Sequence, residues 1–312
     1  MNPQELEALV EAITAQVRAR LDVGGPPRTQ TGAVSAASCA GRTDPCYATR
    51  EQCEGAGMCA VRKKPVLERM VADGAARFGS GPGITKVDTV LAKMIDHTLL
   101  KPDATREQLT QVCNEAMQYG FATVCVNSAN IPLVARLLKG SDVKPIAVVG
   151  FPLGASLPSA KAYEAREAIR NGAQEIDMVI NVGALKNRDY TSVMEDIMRV
   201  VDASRPHRVK VILETGLLTD EEKVIACTLA KAAGAHFVKT STGFGPGGAT
   251  VQDIQLMRRV VGPDMEVKAS GGVRTTEDAE AMKKAGADRI GASASVAIVT
   301  GAKKDPDQKK GY

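Results

Sequence analysis

From Val87 onward the chain alternates short β-prone runs with amphipathic segments of helical length, and this alternation limits the fold more than any other feature. The expected strands are 94–98, 123–127, 146–151, 175–181, 209–214, 237–242, 266–270 and 289–292. Between them lie expected helices at about 105–119, 130–139, 158–172, 189–204, 219–234, 250–260 and 275–285. Eight strands alternating with helices over about 220 residues predict an α/β protein, a (β/α)8 TIM barrel with an N-terminal helical and irregular extension. A doubly wound open sheet is the runner-up, but it calls for a Gly-rich dinucleotide turn after its first strand. None follows residues 94–98. The chain thus divides into a helix over 1–21, a linker over 22–87 and a barrel over 88–312.

Two of the runs carry a lysine, in Phe237-Val238-Lys239-Thr240-Ser241-Thr242-Gly243 and Glu266-Val267-Lys268-Ala269-Ser270-Gly271-Gly272. Lysine is a poor choice for a buried strand unless something needs its amine. A single such lysine would be read as snorkelling to a polar rim or pairing with a carboxylate. Two in matched contexts, one strand–helix unit apart, point instead to a reactive amine beside a second cation. The neighbouring charge disfavours protonation and leaves free amine to attack a carbonyl. Catalytic groups of such barrels sit at the C-terminal ends of the strands. Those ends, read in order, offer Asp96 and Thr98, Cys125, Asp177, Glu214, Lys239, Lys268, and Gly291 with Ser293. A carboxylate at Asp177 can hold water, relay protons or simply pair with a lysine. The loops Gly271-Gly272-Val273-Arg274 and Gly291-Ala292-Ser293 would present backbone N–H groups at helix starts, an anion site common after strands seven and eight.

The first residues form a separate unit. Leu6, Leu9, Val10, Ile13, Val17 and Leu21 follow helical spacing, with Asn2 as N-cap, Pro3 at the first helical position and Glu5 as capping-box acid. The stripe could pack on its own domain. The tether that follows, Gly24-Gly25-Pro26-Pro27 and a small-residue stretch to about residue 38, favours docking on a partner. Cys39, Cys46, Cys53 and Cys59 could hold zinc or an iron–sulfur cluster, although their spacings lack a Cys-x-x-Cys knuckle. A thiol-bearing linker or a redox pair reads equally well.

Net charge of +4, 3% aromatic residues and no Trp exclude the basic, aromatic-lined surface of a nucleic-acid binder. No apolar run approaches a membrane span, and Glu5, Glu7 and Glu11 stand where a secretory signal needs a basic start. A cytoplasmic protein is expected.

The phrases Ile95-Asp96-His97-Thr98-Leu99-Leu100-Lys101-Pro102, Glu175-Ile176-Asp177-Met178-Val179, Leu213-Glu214-Thr215-Gly216, Phe237 through Gly243 and Lys268 through Thr275 occur in order. In them residues 88–312 resemble the deoxyribose-phosphate aldolase family. The resemblance implies metal-independent, cofactor-free class I chemistry, the reversible cleavage of deoxyribose 5-phosphate to glyceraldehyde 3-phosphate and acetaldehyde. It implies Lys239 as the Schiff-base lysine, Lys268 as the residue that lowers its pKa and Asp177 as proton shuttle. Tyr312, as the terminal tyrosine of a mobile tail, would assist. Asp96 and Thr98 would contact substrate or order the site, Cys125 would lie near the pocket, and His97 would pack. Thr242, Gly243, Gly271, Gly272, Gly291 and Ser293 would bind substrate. Some family members carry a phosphate-binding lysine where this chain has Phe244 and a second serine where it has Ala294. The resemblance suggests a homodimer or homotetramer. The capped helix and tether are similar to encapsulation peptides that dock enzymes onto shell proteins of bacterial microcompartments. Other readings are a different phosphate-binding barrel, such as another class I aldolase or an isomerase, and a catalytically silent scaffold or redox component. Paired buried lysines have no use in the last.

Overall fold

The strand runs place apolar and polar residues on alternate positions, and in a closed barrel those two sets must face different environments. The computed structural model describes residues 87–301, together with Gln4, Glu5, Ala8, Glu11, Ala12, Thr14 and Ala15, all seven helical. Cys39, Cys46, Cys53, Cys59 and Tyr312 lie outside the described residues, as does almost all of the expected linker.

Eight parallel strands close on themselves in chain order. They are β1 (Ile95–Leu99), β2 (Thr123–Asn127), β3 (Lys144–Val149), β4 (Glu175–Val179), β5 (Arg208–Ile212), β6 (Phe237–Lys239), β7 (Glu266–Ser270) and β8 (Arg289–Ala292). The helices are α1 (Thr89–Ala92), α2 (Arg106–Tyr119), α3 (Ile131–Leu137), α4 (Pro158–Arg170), α5 (Val182–Lys186), α6 (Tyr190–Ser204), α7 (Asp220–Ala232), α8 (Val251–Val261), α9 (Thr276–Ala285) and α10 (Ser295–Thr300). The TIM-barrel expectation holds. Sequence periodicity did not reveal α1, α5 and α10, each of six residues or fewer, because so short a helix shows under two turns of its period. The β6 ladder stops at Lys239 rather than running to 242, since Gly243 at φ +88° and the bonds of Thr242 turn the chain away.

Ile176 and Met178 of β4, Val209 and Val211 of β5, and Val267 and Ala269 of β7 pack outward into the main apolar core beneath the helices. The helices supply Leu109, Ile197, Leu229 and Ile254 to the same layer. Their ends are specified locally. Thr105 with Gln108, Thr219 with Glu222 and Thr275 with Asp278 close capping boxes, and Gly120 and Gly286 end α2 and α9 in the left-handed region.

One polar contact in the helical layer bears on the barrel directly. Lys161 of α4 is fully buried, and its Nζ donates to Asp196 Oδ2 of α6 at 2.5 Å and to the Val179 carbonyl of β4 at 2.9 Å. Burial depresses the lysine pKa and raises that of Asp196, each against the pull of its partner. The pair thus pins two helices to the last residue of the strand that carries Asp177.

Leu229, fully buried in α7, is a test of the outer core. Leu229→Ala is expected to lower unfolding stability in urea by about 2–5 kcal/mol, leaving the barrel interior intact.

Candidate active site inside the barrel

The inward positions of the strands are charged, an arrangement possible only if the charges meet one another. Register brings them together: Lys239 stands opposite Lys268 across β6 and β7, and Asp177 opposite Lys210 across β4 and β5. Asp177 is the centre. Its Oδ2 accepts from Lys239 Nζ at 3.0 Å and Lys268 Nζ at 2.7 Å, and its Oδ1 accepts from Lys210 Nζ at 3.0 Å. The four side chains are almost wholly buried.

A second tier lies toward the N-terminal ends of the strands. Asp96 Oδ2 pairs with Lys268 Nζ at 2.6 Å, and its Oδ1 accepts from Arg289 at 2.7 Å and from the Thr123 hydroxyl at 2.7 Å. Glu175 pairs closely with Lys210 and, at 3.6 Å, with Arg289. The Phe237 ring lies under the cationic groups of Arg208, Lys210 and Arg289, with centroid distances of 4.3, 5.2 and 5.5 Å.

These surroundings separate the lysines. Burial, then the Lys268 ammonium, depress the Lys239 pKa below that of an ordinary lysine, and Asp177 offsets this only in part. Burial acts on Lys268 too, but Asp177 and Asp96 together outweigh it and raise its pKa. Burial would raise the Asp177 pKa, yet Lys210, Lys268 and Lys239 hold it well below the carboxylate range. The structure therefore contains one amine biased toward free base and one fixed ammonium, each within 3.0 Å of one oxygen of a fixed carboxylate.

The other sequence-derived candidates fall in distinct places. Asp96 is the second residue of β1, so it lies below the strand end where sequence order put it, and reaches the site through Lys268. Thr98 donates to the Asp96 carbonyl at 2.9 Å. Cys125 is fully buried, and burial pushes its thiol up to about 11, so it stays neutral. It packs with Leu100, Ile146 and Val148, joined by Phe151, as an apolar wall inside the barrel. His97 faces the helical layer, with Nδ1 on Ser295 at 2.9 Å and Nε2 on Glu115 at 2.8 Å. Thr242 is engaged by Glu214, whose Oε2 accepts from the Thr242 amide at 3.2 Å and from its hydroxyl. Glu214 holds a left-handed backbone, φ 57°, that non-glycine residues seldom adopt. Gly243, Gly271 and Gly272 all have φ above +80° and lie on the β6–α8 and β7–α9 loops. Ser293 is exposed after β8. Phe244 is 46% exposed and meets Phe151 edge-on at 5.4 Å.

Sequence reading missed Lys210, Glu175 and Arg289. The signal was present: in Arg208-Val209-Lys210-Val211-Ile212 and Glu175-Ile176-Asp177-Met178-Val179 the charged residues alternate with apolar ones. Period-two alternation in a closed barrel assigns them to the interior.

Fold and site define a class, a (β/α)8 enzyme with an unprotonated-prone amine inside its barrel. The chain belongs to the DeoC/LacD family of aldolases, whose sequence profile matches residues 90–302. It is 62% identical over 212 residues to deoxyribose-phosphate aldolase of Clostridium perfringens, covering 68% of this chain and 95% of that one. It is 61% identical over 218 residues to deoxyribose-phosphate aldolase 1 of Bacillus licheniformis, covering 70% and 98%. The crystal structure of the tetrameric deoxyribose phosphate aldolase from Aeropyrum pernix superposes with a TM-score of 0.64 at 34% identity, covering 68% and 89%. Among the described residues, no helix is long and apolar enough to cross a membrane.

Gly291 keeps space for this geometry. A Cβ there would lie 2.7 Å from Ser270 Oγ and 3.0 Å from Lys268 Cε. Gly291→Ala is expected to displace Lys268 and reduce aldol turnover about tenfold or more, measured by steady-state kinetics alongside a thermal melt that shows the variant folded.

Proposed function

We infer that this chain is a class I aldolase that reversibly cleaves 2-deoxyribose 5-phosphate to glyceraldehyde 3-phosphate and acetaldehyde through an imine on Lys239. The observation that carries the reading is the buried Lys239 amine, its pKa depressed, touching Asp177 Oδ2 at 3.0 Å beside the fixed ammonium of Lys268. The names of the relatives supply the substrate.

In this reading the Lys239 amine adds to the C1 carbonyl of the open-chain sugar, and loss of water gives the iminium. The C3 hydroxyl gives up its proton and the C2–C3 bond breaks. Its electron pair flows to the iminium nitrogen, which leaves an enamine and releases glyceraldehyde 3-phosphate. Protonation of the enamine at carbon and hydrolysis release acetaldehyde. Asp177 and Lys268 pass these protons, with water between them and the substrate. Tyr312 assists at the enamine carbon. Asp96 acts by holding Lys268, and Thr98 and Cys125 border the reacting end. The phosphate rests on the loop backbones at Thr242, Gly243, Gly271 and Gly272, and on Gly291, which lies within β8 rather than on a loop, with Ser293 just beyond that strand. With Phe244 and Ala294 in place of further polar side chains, backbone N–H groups carry most of that binding. Catalysis needs no metal or cofactor in this scheme.

The remaining regions complete the proposal. The enzyme works in the cytoplasm as a homo-oligomer, for which the tetrameric relative is a precedent. Residues 1–21 dock onto a microcompartment shell protein, which would keep volatile acetaldehyde close to the enzymes that consume it. Residues 22–87 form the tether, and Cys39, Cys46, Cys53 and Cys59 bind zinc or an iron–sulfur cluster or serve as linker thiols. Deleting residues 1–87 is expected to leave turnover in place and to remove shell association in a co-sedimentation assay.

The chemistry is tested by trapping. Incubation with acetaldehyde and borohydride is expected to leave a reduced ethyl adduct on Lys239, located by peptide mass spectrometry and absent in Lys239→Ala. A folded protein that yields no adduct on Lys239 overturns the imine reading.

A further inference from the structure

The buried ions inside the barrel can be counted. Three buried carboxylates, Asp96, Glu175 and Asp177, share the interior with three buried lysines, Lys210, Lys239 and Lys268, and with Arg289, whose side chain is 12% exposed. If all four were charged the cluster would carry one uncompensated positive charge away from water, which is expensive. Releasing one proton makes it neutral. Contacts say which amine releases it. Lys268 has Asp96 and Asp177, Lys210 has Glu175 and Asp177, and Arg289 has Asp96 and Glu175. Lys239 has Asp177 alone and shares that oxygen with Lys268.

We propose that Lys210, which stands outside the imine scheme above, is the residue that sets the charge state of the reactive amine. By holding Asp177 Oδ1 and Glu175 it supplies the third fixed cation, so the three carboxylates are satisfied without Lys239. It acts through Asp177 and is a positioning residue, touching no reacting atom. This deepens the imine reading and rests on it. The Lys210 charge stands first, ahead of those of Lys268 and Lys239, among the charges that hold the Asp177 pKa down, and Lys268 adds a hydrogen bond.

The other groups around the pair do not disturb the count. Lys239 is faced by Asp177 from β4, Lys268 from β7 and the neutral Cys125 thiol from β2. Lys210 is faced by Glu175 and Asp177 from β4, the Phe237 ring from β6, and Arg289 on β8 and Asp96 on β1 through shared partners. Arg208 and Glu266 form their own balanced pair at the edge of the interior. His236 accepts the Val209 amide on Nδ1, and burial, then Arg208, depress its pKa and keep it neutral. His97 and Glu115 lie on the helical side.

The test is the pH dependence of the rate at which acetaldehyde and borohydride label Lys239, followed by mass spectrometry in full-length protein, with circular dichroism at each pH. Lys210→Met leaves three carboxylates against two fixed cations. Lys239 then keeps its proton, and the acid limb of labelling is expected to move up by about one pH unit or more, with roughly tenfold slower labelling near neutrality that recovers at higher pH. Glu175→Gln alone has the opposite imbalance and moves the limb down. Lys210→Met with Glu175→Gln restores the balance and returns the limb to near its wild-type position. A residue that only supports the fold would lower labelling at every pH without moving the limb. An unmoved limb in Lys210→Met, or a double variant displaced as far as that single one, overturns the proposal. Should Lys210→Met fail to fold, Glu175→Gln decides: a lowered limb supports the count and an unmoved limb overturns it. Absence of any Lys239 adduct in the wild-type chain would instead refute the imine reading on which this one rests.

Discussion

A carboxylate without water must find its compensation in the protein, and Asp177 finds it in the ammonium groups of Lys210 and Lys268 and in the N–H of the Lys239 amine, on three different strands. That requirement joins β4 to β5, β6 and β7 through side chains in addition to backbone ladders. Asp96 and Glu175 extend the same principle to β1, β2 and β8 through Lys268, Thr123 and Arg289. β3 contributes an apolar interior face, with Ile146 and Val148 beside Cys125 of β2. The barrel therefore has two cores of opposite character. The outer one is mostly apolar, held by burial of side chains between strands and helices. The inner one is ionic, and every member depends on the presence of the others.

This division accounts for how reactivity is built. A lone buried lysine would lose its proton from desolvation and also lose its orientation. Here Asp177 orients Lys239 while Lys268 and Lys210 consume most of the carboxylate's charge. Support comes from outside the barrel as well. The Lys161–Asp196 pair fixes the end of β4, and Glu214, in a strained conformation, holds Thr242 and so shapes the loop that leaves Lys239.

Much of the fold was legible because a (β/α)8 barrel is a periodic object. Eight β-prone runs separated by helical segments leave few topologies, and the capping boxes at Thr105, Thr219 and Thr275 mark helix starts within the chain itself. The short helices α1, α5 and α10 carry too few residues to show a period. In the site, Lys239 and Lys268 were visible because lysine before a Gly-rich break is unusual. Lys210 sits inside a strand without such a break, so only its period-two alternation marks it as interior, and nothing in one strand says that a carboxylate waits on the next. Asp96 was placed too high because sequence order gives a residue its strand but not its level within the barrel. Closure sets β8 beside β1, and only this joins residues as far apart in sequence as Asp96 and Arg289.

The central claim is that the barrel interior holds Lys239 as a free amine while Lys268 stays an ammonium. It is tested most directly by titrating the two Nζ groups by NMR in protein carrying ¹⁵N-labelled lysine, with resonances assigned through Lys239→Ala and Lys268→Arg. The account predicts that Lys239 is unprotonated at neutral pH and that Lys268 keeps its proton well past the ordinary lysine range. A Lys239 resonance that titrates like that of a solvent-exposed lysine would contradict it.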